Sequence, residues 1–414
     1  GGCTLFSDDD LHFYGGIMNS TIAWRYLSLI SPTLNFQPGD VGKIPVVQLN
    51  DKKKFVENVS TLVKITKSDW DSYENSWQFS SIPLIKLGDV KHSIATNFEQ
   101  LQKHWSDTVE KVKYLEEENN KALINQYNLE KDLSPIVDKS KVTLTCNKYY
   151  RYKNSKNEEI QNKLQAQDTI REFISYAVGC IFGRFSLDED GLILATPNDT
   201  IENYLKKIPV PSFRPDEDNV IPIIDFELVK DKDEYWFEDD ISERFKIFLK
   251  VTFGDENFTE NLAFIEKVIG KDIKKYFIKD FYVEHVKGYK KRPIYWMFSS
   301  PKGSFNALIY MHRYQSDTAN IVLNDYLREF RTKLEARKES YEQVEISASA
   351  SQKDITQAIK AIAKINKVLE EINDYEHDVL YPLAGKKIEI DLDDGVKHNY
   401  PLFGKALKKV TGLS

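Results

Sequence analysis

The sequence predicts a helix-rich α+β fold, with mixed α/β regions and long helices that form a coiled-coil-like spacer and a hairpin. Three observations carry that prediction. Apolar residues recur at three- and four-residue spacing over long stretches without proline or glycine, the mark of amphipathic helices. Two short aromatic-rich runs flank Pro301-Lys302-Gly303-Ser304, the mark of a β-hairpin. The chain has 414 residues, 41% of them hydrophobic, with 22 Tyr and 23 Phe, enough to fill more than one core.

The elements follow in order. Residues 11–30 have helical periodicity through Ile17, Trp24, Leu27 and Ile30. Ser31-Pro32 ends that run, because proline disfavours helical backbone in the residue before it. Turn formers follow as far as Asp40; residues 41–47 read as extended and 51–66 as a further helix. Asp69-Trp70-Asp71 through Phe79 is an acidic, aromatic segment expected to cap a core with its rings. Over 98–133, Phe98, Leu101, Trp105, Val112, Leu115, Ala122, Leu129 and Leu133 form a seam with Asn119 as a polar register residue, so one long helix is expected.

Residues 142–213 read as strands around a helix near 170–182. Pro209, Pro211 and Pro215 beside Asp216, Glu217 and Asp218 read as a surface linker. Residues 220–290 are helical in parts and 292–314 a strand pair. Apolar stripes over 323–334 and 355–379, joined at a Ser/Ala break, predict an antiparallel helical hairpin, and 391–414 returns to turns and a short basic helix. The expected domains are an α+β region at 1–95, a spacer helix at 96–135, a central α+β region at 136–318, and a hairpin with its tail at 319–414.

The formal net charge of -7 argues against a general polyanion binder, since such affinity comes from Lys and Arg displacing counterions. It leaves room for a specific reader whose basic residues gather on one face. Cys3, Cys146 and Cys180 are odd in number and far apart, so they suggest no disulfide framework and a reduced, cytoplasmic setting. No apolar run reaches the roughly 18 residues of a membrane span. The opening Gly1-Gly2-Cys3-Thr4-Leu5-Phe6 reads like the interior of a domain, so a fragment of a longer protein is expected.

Metal and nuclease chemistry find little support. Asp225, Glu227 and Lys230 do not have the spacing of a nuclease acid–lysine site. Asp391, Asp393, Asp394 and Gly395 suit a solvated turn better than a calcium loop, which needs a following Glu. The seven histidines show neither HExxH nor zinc spacing with cysteine. No metal site and no catalytic set is expected.

Several blocks carry a resemblance. They begin with Phe13-Tyr14-Gly15-Gly16-Ile17-Met18-Asn19-Ser20, then Ile30-Ser31-Pro32-Thr33-Leu34-Asn35-Phe36, then Gly39-Asp40-Val41-Gly42-Lys43-Ile44-Pro45-Val46. In combination these resemble the recognition block of fused restriction-modification methyltransferases, with Met18 where that block has Leu. Further blocks are Asp69-Trp70-Asp71 with Ser76-Trp77, the run from Tyr176 to Asp188, the run from Tyr295 to Tyr314, and Gly395-Val396-Lys397-His398-Asn399-Tyr400-Pro401. With these the whole chain resembles the carboxy-terminal region of the PglX family of BREX phage-defence systems. The resemblance implies methylation of host DNA at adenine N6 with S-adenosylmethionine, and cooperation with other BREX components. No [DN]PP[YF] tetrapeptide occurs here, so the catalytic half is expected elsewhere and this portion to be inactive alone, without its own cofactor. Gly179 and Gly183, in GxxxG spacing, read as a close helix-packing site.

The expected partner is double-stranded DNA, gripped while the catalytic part extracts the adenine. Phosphates call for Lys, Arg or backbone amides, and bases for bidentate donors or amide side chains. The candidates are Asn35, Gln37 and Lys43 in turn-rich chain, then Lys287, Lys290, Lys291 and Arg292, with Lys302, His312 and Arg313 close in sequence. Ordinary turn chemistry competes at the first three positions and a solvated loop at the others. An alternative function is a protein-interaction module, in which the helical hairpin docks other defence-system components. A stand-alone hydrolase is a third reading, without a convergent catalytic set to support it.

Overall fold

The computed structural model describes residues 4–7, 10–31, 36–89, 91–155, 157–226 and 236–413. The chain divides into two compact units, one of residues 1–88 with 96–169, the other of 89–95 with 170–414. The fold is helix-rich α+β.

In the first unit, side-chain caps set the helix boundaries. Asp10 accepts the His12 amide to open α1 (Leu11–Met18), and Ser20 accepts the Ala23 amide to open α2 (Thr21–Ile30). The expected single helix over 11–30 is therefore two. A serine hydroxyl gains more by satisfying an open amide at a helix start than by sitting inside a helix. Asp51 caps α3 (Lys52–Asp71) in the same way, through the Lys54 amide.

The long helix α4 (Ile94–Gln126) stops short of the expected end at 133. Asn128 takes a left-handed backbone with φ of 56°, while the Leu129 amide reaches back to Ile124 O and the Asn128 amide to Asn125 O. This crossed pair of hydrogen bonds closes a helix, and Leu129 packs on the apolar cluster that includes Ile124. Leu129 and Leu133 thus cover a core from beyond the helix. Asn119 is buried and accepts a hydrogen bond from Asn58 Nδ2 of α3 at 3.0 Å, so the polar seam position is paired.

Two apolar clusters fill this unit. Phe13, Ile17, Ile22, Leu27, Phe55 and Val59 make the larger, with Leu123 and Ile124 of α4. Val109 and Val112 of α4 make the smaller with Val142, Leu144 and Cys146. Among the described residues, 142–213 form no strand. Local side chains claim the backbone instead. The Asp69 carboxylate accepts the Thr145 and Cys146 backbone amides at 2.6 and 3.0 Å, and the Asn147 side-chain Nδ2 donates to the carbonyls of Lys139 and Val142. Chain bonded this way has no ladder donors to offer.

In the second unit, α5 (Glu158–Ile181), which begins in the first, ends at the GxxxG spacing. Gly183, with φ of 74°, closes the helix, and the Arg184 amide bonds back to Gly179 O. A Cβ on Gly179 would lie 2.4 Å from the Phe185 ring. These glycines form a cap and make room for a folded-back Phe; they are not a helix-packing site. The sheet is antiparallel, in the order β1-β3-β2, with β1 (Ile221–Pro222), β2 (Tyr295–Ser299) and β3 (Asn306–Tyr310). The register pairs Tyr295 with Tyr310 and Ser299 with Asn306, as the hairpin motif predicts. One face meets Phe403 through Trp296 and Phe298; the other meets Phe182 and His285 through Tyr295.

Around the sheet, Phe173 of α5 packs on Phe245, Phe248 and Phe253 of α6 (Ile241–Phe253). His285 in α7 (Tyr282–Gly288) accepts the Ile294 and Tyr295 amides on Nε2, each at 3.1 Å. The expected helical hairpin is present as α8 (Arg328–Ile346) and α9 (Gln352–Tyr375). The proline-rich linker starts on the surface but turns inward at Phe213, and Pro215 and Asp216 are buried. It is part of the core rather than a surface connection.

Candidate nucleic-acid interface

Trp105 stands on α4 above the smaller apolar cluster of the first unit, with a depression to either side. The smaller, about 250 Å³, takes Lys103 and Gln102 from α4, Lys139, Lys148 and Tyr149 from the following segment, and Gln165 from α5. The larger, about 500 Å³, takes Lys64 and Tyr73 from the α3 end, Lys86, and His104 and Lys111 from α4. Six lysines therefore line the two, against Asp69 and Glu110.

The cations are positioned rather than loose. Lys139 pairs with Glu110 and lies over the Tyr149 ring; Lys148 bonds Glu158 at 2.8 Å and sits 5.1 Å from the same ring. Arg151 pairs with Asp168 at 3.0 Å and lies 5.6 Å from the Tyr73 ring. Asp69 spends its carboxylate on backbone amides, so its charge holds the floor. Exposed pairs of this kind contribute little to stability and leave the cations available to a stronger anion. Ammonium groups at a groove rim beside aromatic faces suit a phosphate backbone with bases in reach.

The residues singled out from sequence fall in different places. Asn35 lies outside the described residues. Gln37 is exposed at the start of the Pro38–Val41 turn, where its amide donates to Asp40 at 3.2 Å. Lys43 is exposed, 3.9 Å from Asp40. In the second unit, Lys287 in the last turn of α7 and Lys290, Lys291 and Arg292 in the loop that follows are all exposed. Lys290 and Lys291 both have positive φ, 51° and 62°, a conformation that costs about 1 kcal/mol or more at each non-glycine residue. Lys302 is exposed at the far end of the hairpin, roughly 17 Å from Arg292 at the rise of a five-residue strand, so it does not join that loop.

Two candidates turn inward. His312 is half buried, and burial with the nearby Arg184 charge pushes its pKa down to about 4. Arg313 is 4% exposed and donates to the carbonyls of Phe182, Asp216 and Glu217. It clamps the inward-turning linker and leaves the DNA-contact set. A basic residue after a strand reads the same in sequence whether it points to solvent or to backbone carbonyls.

The comparisons with known proteins agree with the quoted motifs. The adenine-specific methyltransferase BrxX of Escherichia coli O9:H4 (strain HS) is 33% identical over 446 aligned residues, taking in 100% of this chain and 34% of that protein. The adenine-specific methyltransferase PglX of Lacticaseibacillus casei (strain Zhang) is 32% identical over 414, with 96% of this chain and 32% of that protein. The chain belongs to the PglX/BrxX family. It spans about a third of the length of the curated relatives it matches. No family model matches it.

As a PglX/BrxX family sequence it invites the question of S-adenosylmethionine. The residues present do not fit that cofactor. Its glycine spacing is a helix end packed by Phe185, Leu194 and Pro215, and the sheet of the described residues is antiparallel, without the parallel strand–turn–helix that cradles a nucleoside cofactor. The groove residues of this PglX/BrxX chain had a local signal in the sequence. Residues 139–163 hold Lys139, Lys141, Lys148, Arg151, Lys153, Lys156 and Lys163 against Glu158 and Glu159, interleaved with Tyr149, Tyr150 and Tyr152. A basic run of this kind among tyrosines is the local pattern that a polyanion-binding surface would show, and the overall charge hides it. No helix among the described residues is long and apolar enough to cross a membrane.

Proposed function

We propose that this chain is the DNA target-recognition and scaffolding portion of a site-specific adenine-N6 methyltransferase of a BREX phage-defence system. The observation that carries the reading is the lysine-lined, aromatic groove around Trp105, in a chain a third identical to proteins named adenine-specific methyltransferases. The lysines of the first unit, carried on α4 and the segments packed against it, hold the phosphates of a duplex; the basic cluster with Lys287, Lys290, Lys291 and Arg292 is a separate candidate contact of the second unit, which also carries the α8–α9 hairpin. Methyl transfer, with S-adenosylmethionine as donor, belongs to polypeptide outside this chain. Ile346, 76% exposed where α8 ends, favours the hairpin tip as a contact for another defence-system protein.

The test is fluorescence anisotropy of labelled duplexes across a salt series. The variant Lys103→Ala/Lys139→Ala/Lys148→Ala should flatten the slope of log affinity against log salt by about one for each phosphate it no longer holds. Equal, negligible binding to every duplex at low salt overturns the reading.

A further inference from the structure

Trp77 is fully exposed, at 100% of its accessible surface, the most exposed of the large hydrophobic side chains among the described residues. Burying a large apolar side chain is normally stabilising, and tryptophan is highly buried on average, so a ring left wholly in water has both faces free to meet a partner. Exposed tryptophans elsewhere in the unit are less open: Trp24 retains an edge-on contact with Phe36 at 6.5 Å between centroids.

The segment carrying Trp77 is held on both sides. Ser76 donates its hydroxyl to Asp71 at 2.6 Å and its amide to Tyr73 O at 2.8 Å. Gln78 accepts from Lys67 Nζ, which also pairs with Asp71 at 2.5 Å. Phe79, two residues on, is buried. The neighbours of Trp77 are thus fixed while its side chain touches nothing. A loop braced in this way presents a ring that gives up little conformational entropy when it meets a flat partner.

Its surroundings say which partner. Tyr73 and Ser81, on either side of the Trp77 segment, both line the larger depression, with Lys64, Lys86 and Lys111. The segment that carries the indole therefore begins and ends at a cationic groove. A protein partner of ordinary composition has no special affinity for that combination. A nucleic acid supplies both halves, phosphates for the ammonium groups and a π-face for the ring.

We propose that Trp77 stacks on a nucleobase exposed at an unpaired or distorted step of the bound duplex, so that this unit prefers opened over fully paired DNA. The inference rests on the DNA-binding reading given above and adds to it a preference that phosphate contacts alone cannot produce.

Two fluorescein-labelled duplexes of the same sequence, one with a single bulged adenine and one fully paired, separate the possibilities by anisotropy with the full chain. The native protein should bind the bulged duplex more tightly. Trp77→Ala should lose about 5- to 150-fold on the bulged duplex and little on the paired one, and Trp77→Phe should retain part of the preference. The lysine triple variant should weaken both alike. An unchanged melting temperature of Trp77→Ala shows that the fold is intact, as expected for a side chain without contacts. If the native protein binds both duplexes and Trp77→Ala leaves the two affinities unchanged, the stacking role is overturned while DNA binding stands. If neither duplex binds, the underlying reading fails. A Trp77→Ala effect confined to self-association in sedimentation also overturns the proposal.

Discussion

Gly15 and Gly16 are neighbours in α1 and look alike in sequence, yet a methyl group meets opposite surroundings at the two positions. At Gly15 nothing lies within 4 Å of a built Cβ; at Gly16 it would fall 2.5 Å from Val59 and 2.6 Å from Phe55. Both of those side chains are buried in the larger cluster of the first unit and cannot swing away. Gly15→Ala should therefore stabilise the protein by up to about 1 kcal/mol, the difference in helix propensity. Gly16→Ala should destabilise it by about 1–3 kcal/mol through overpacking, despite the same propensity gain. Denaturant melts of the two variants check the sign. The Tyr14-Gly15-Gly16-Ile17 block thus contains one glycine demanded by packing and one that is not. Arg313 teaches the same lesson at a charged position. Its fork of donors suits guanine and suits backbone carbonyls equally well, and only the folded chain brings three carbonyls to it.

At the scale of an element, the β-hairpin was legible because turn chemistry is local, but its anchoring was not. The Glu371 carboxylate on α9, 5% exposed, accepts from Ser300 Oγ, the Lys302 amide and Ser304 Oγ at 2.6 to 2.7 Å, and so binds the 301–304 turn. A buried carboxylate with three donors is well paired, and removing it strands the Lys302 amide and two hydroxyls. Glu371→Ala should cost about 2–3 kcal/mol in chemical denaturation, and Glu371→Gln distinctly less, because Gln retains an acceptor for the amide. Helix ends divide similarly. Ser20 and Asn128 carry sequence signals for a cap and for a left-handed stop, yet the apolar seam runs on past Asn128, because Leu129 and Leu133 cover the core from outside the helix just as they would from inside it.

For the whole molecule, two kinds of ionisation should pull stability in opposite directions over the same acidic range. His285 is buried among rings, and desolvation with the Arg184 charge lowers its pKa to about 3; His312 falls to about 4 for the same reasons. Unfolded histidine takes up its proton near pH 6.5, so their contribution is complete above that value. It is lost progressively as pH falls through the window down to about 3. Glu116 behaves oppositely: burial and then neighbouring Glu117 raise its pKa to about 7. Its unfolded carboxyl ionises from about pH 4.3 upward, so it withdraws stability as pH rises from there to about 7. Glu116→Gln should accordingly raise the melting temperature at pH 8 and leave it nearly unchanged at pH 4, in scanning calorimetry. In the Glu116→Gln background, where the opposing carboxylate is removed, a melting temperature that holds level between pH 6.5 and pH 4 would contradict the histidine assignment.

What the sequence determined by itself was written in near neighbours: the presence of the long helices by their period though not their ends, the 301–304 turn, the absence of a methyltransferase tetrapeptide, and the motif blocks that place the chain with the PglX/BrxX proteins. The basic run among tyrosines at 139–163 was written just as locally, but the reading of 142–213 as strands around a helix passed over it. Only the tertiary structure decided which cations share a surface. Lys64, Lys86, Lys103, Lys111, Lys139 and Lys148 come from separate segments, and folding gathers them around Trp105, buries Arg313 and leaves Trp77 in water. The physical reason is that a side chain's period along its own element says which way it points, whereas its partners come from segments tens of residues away.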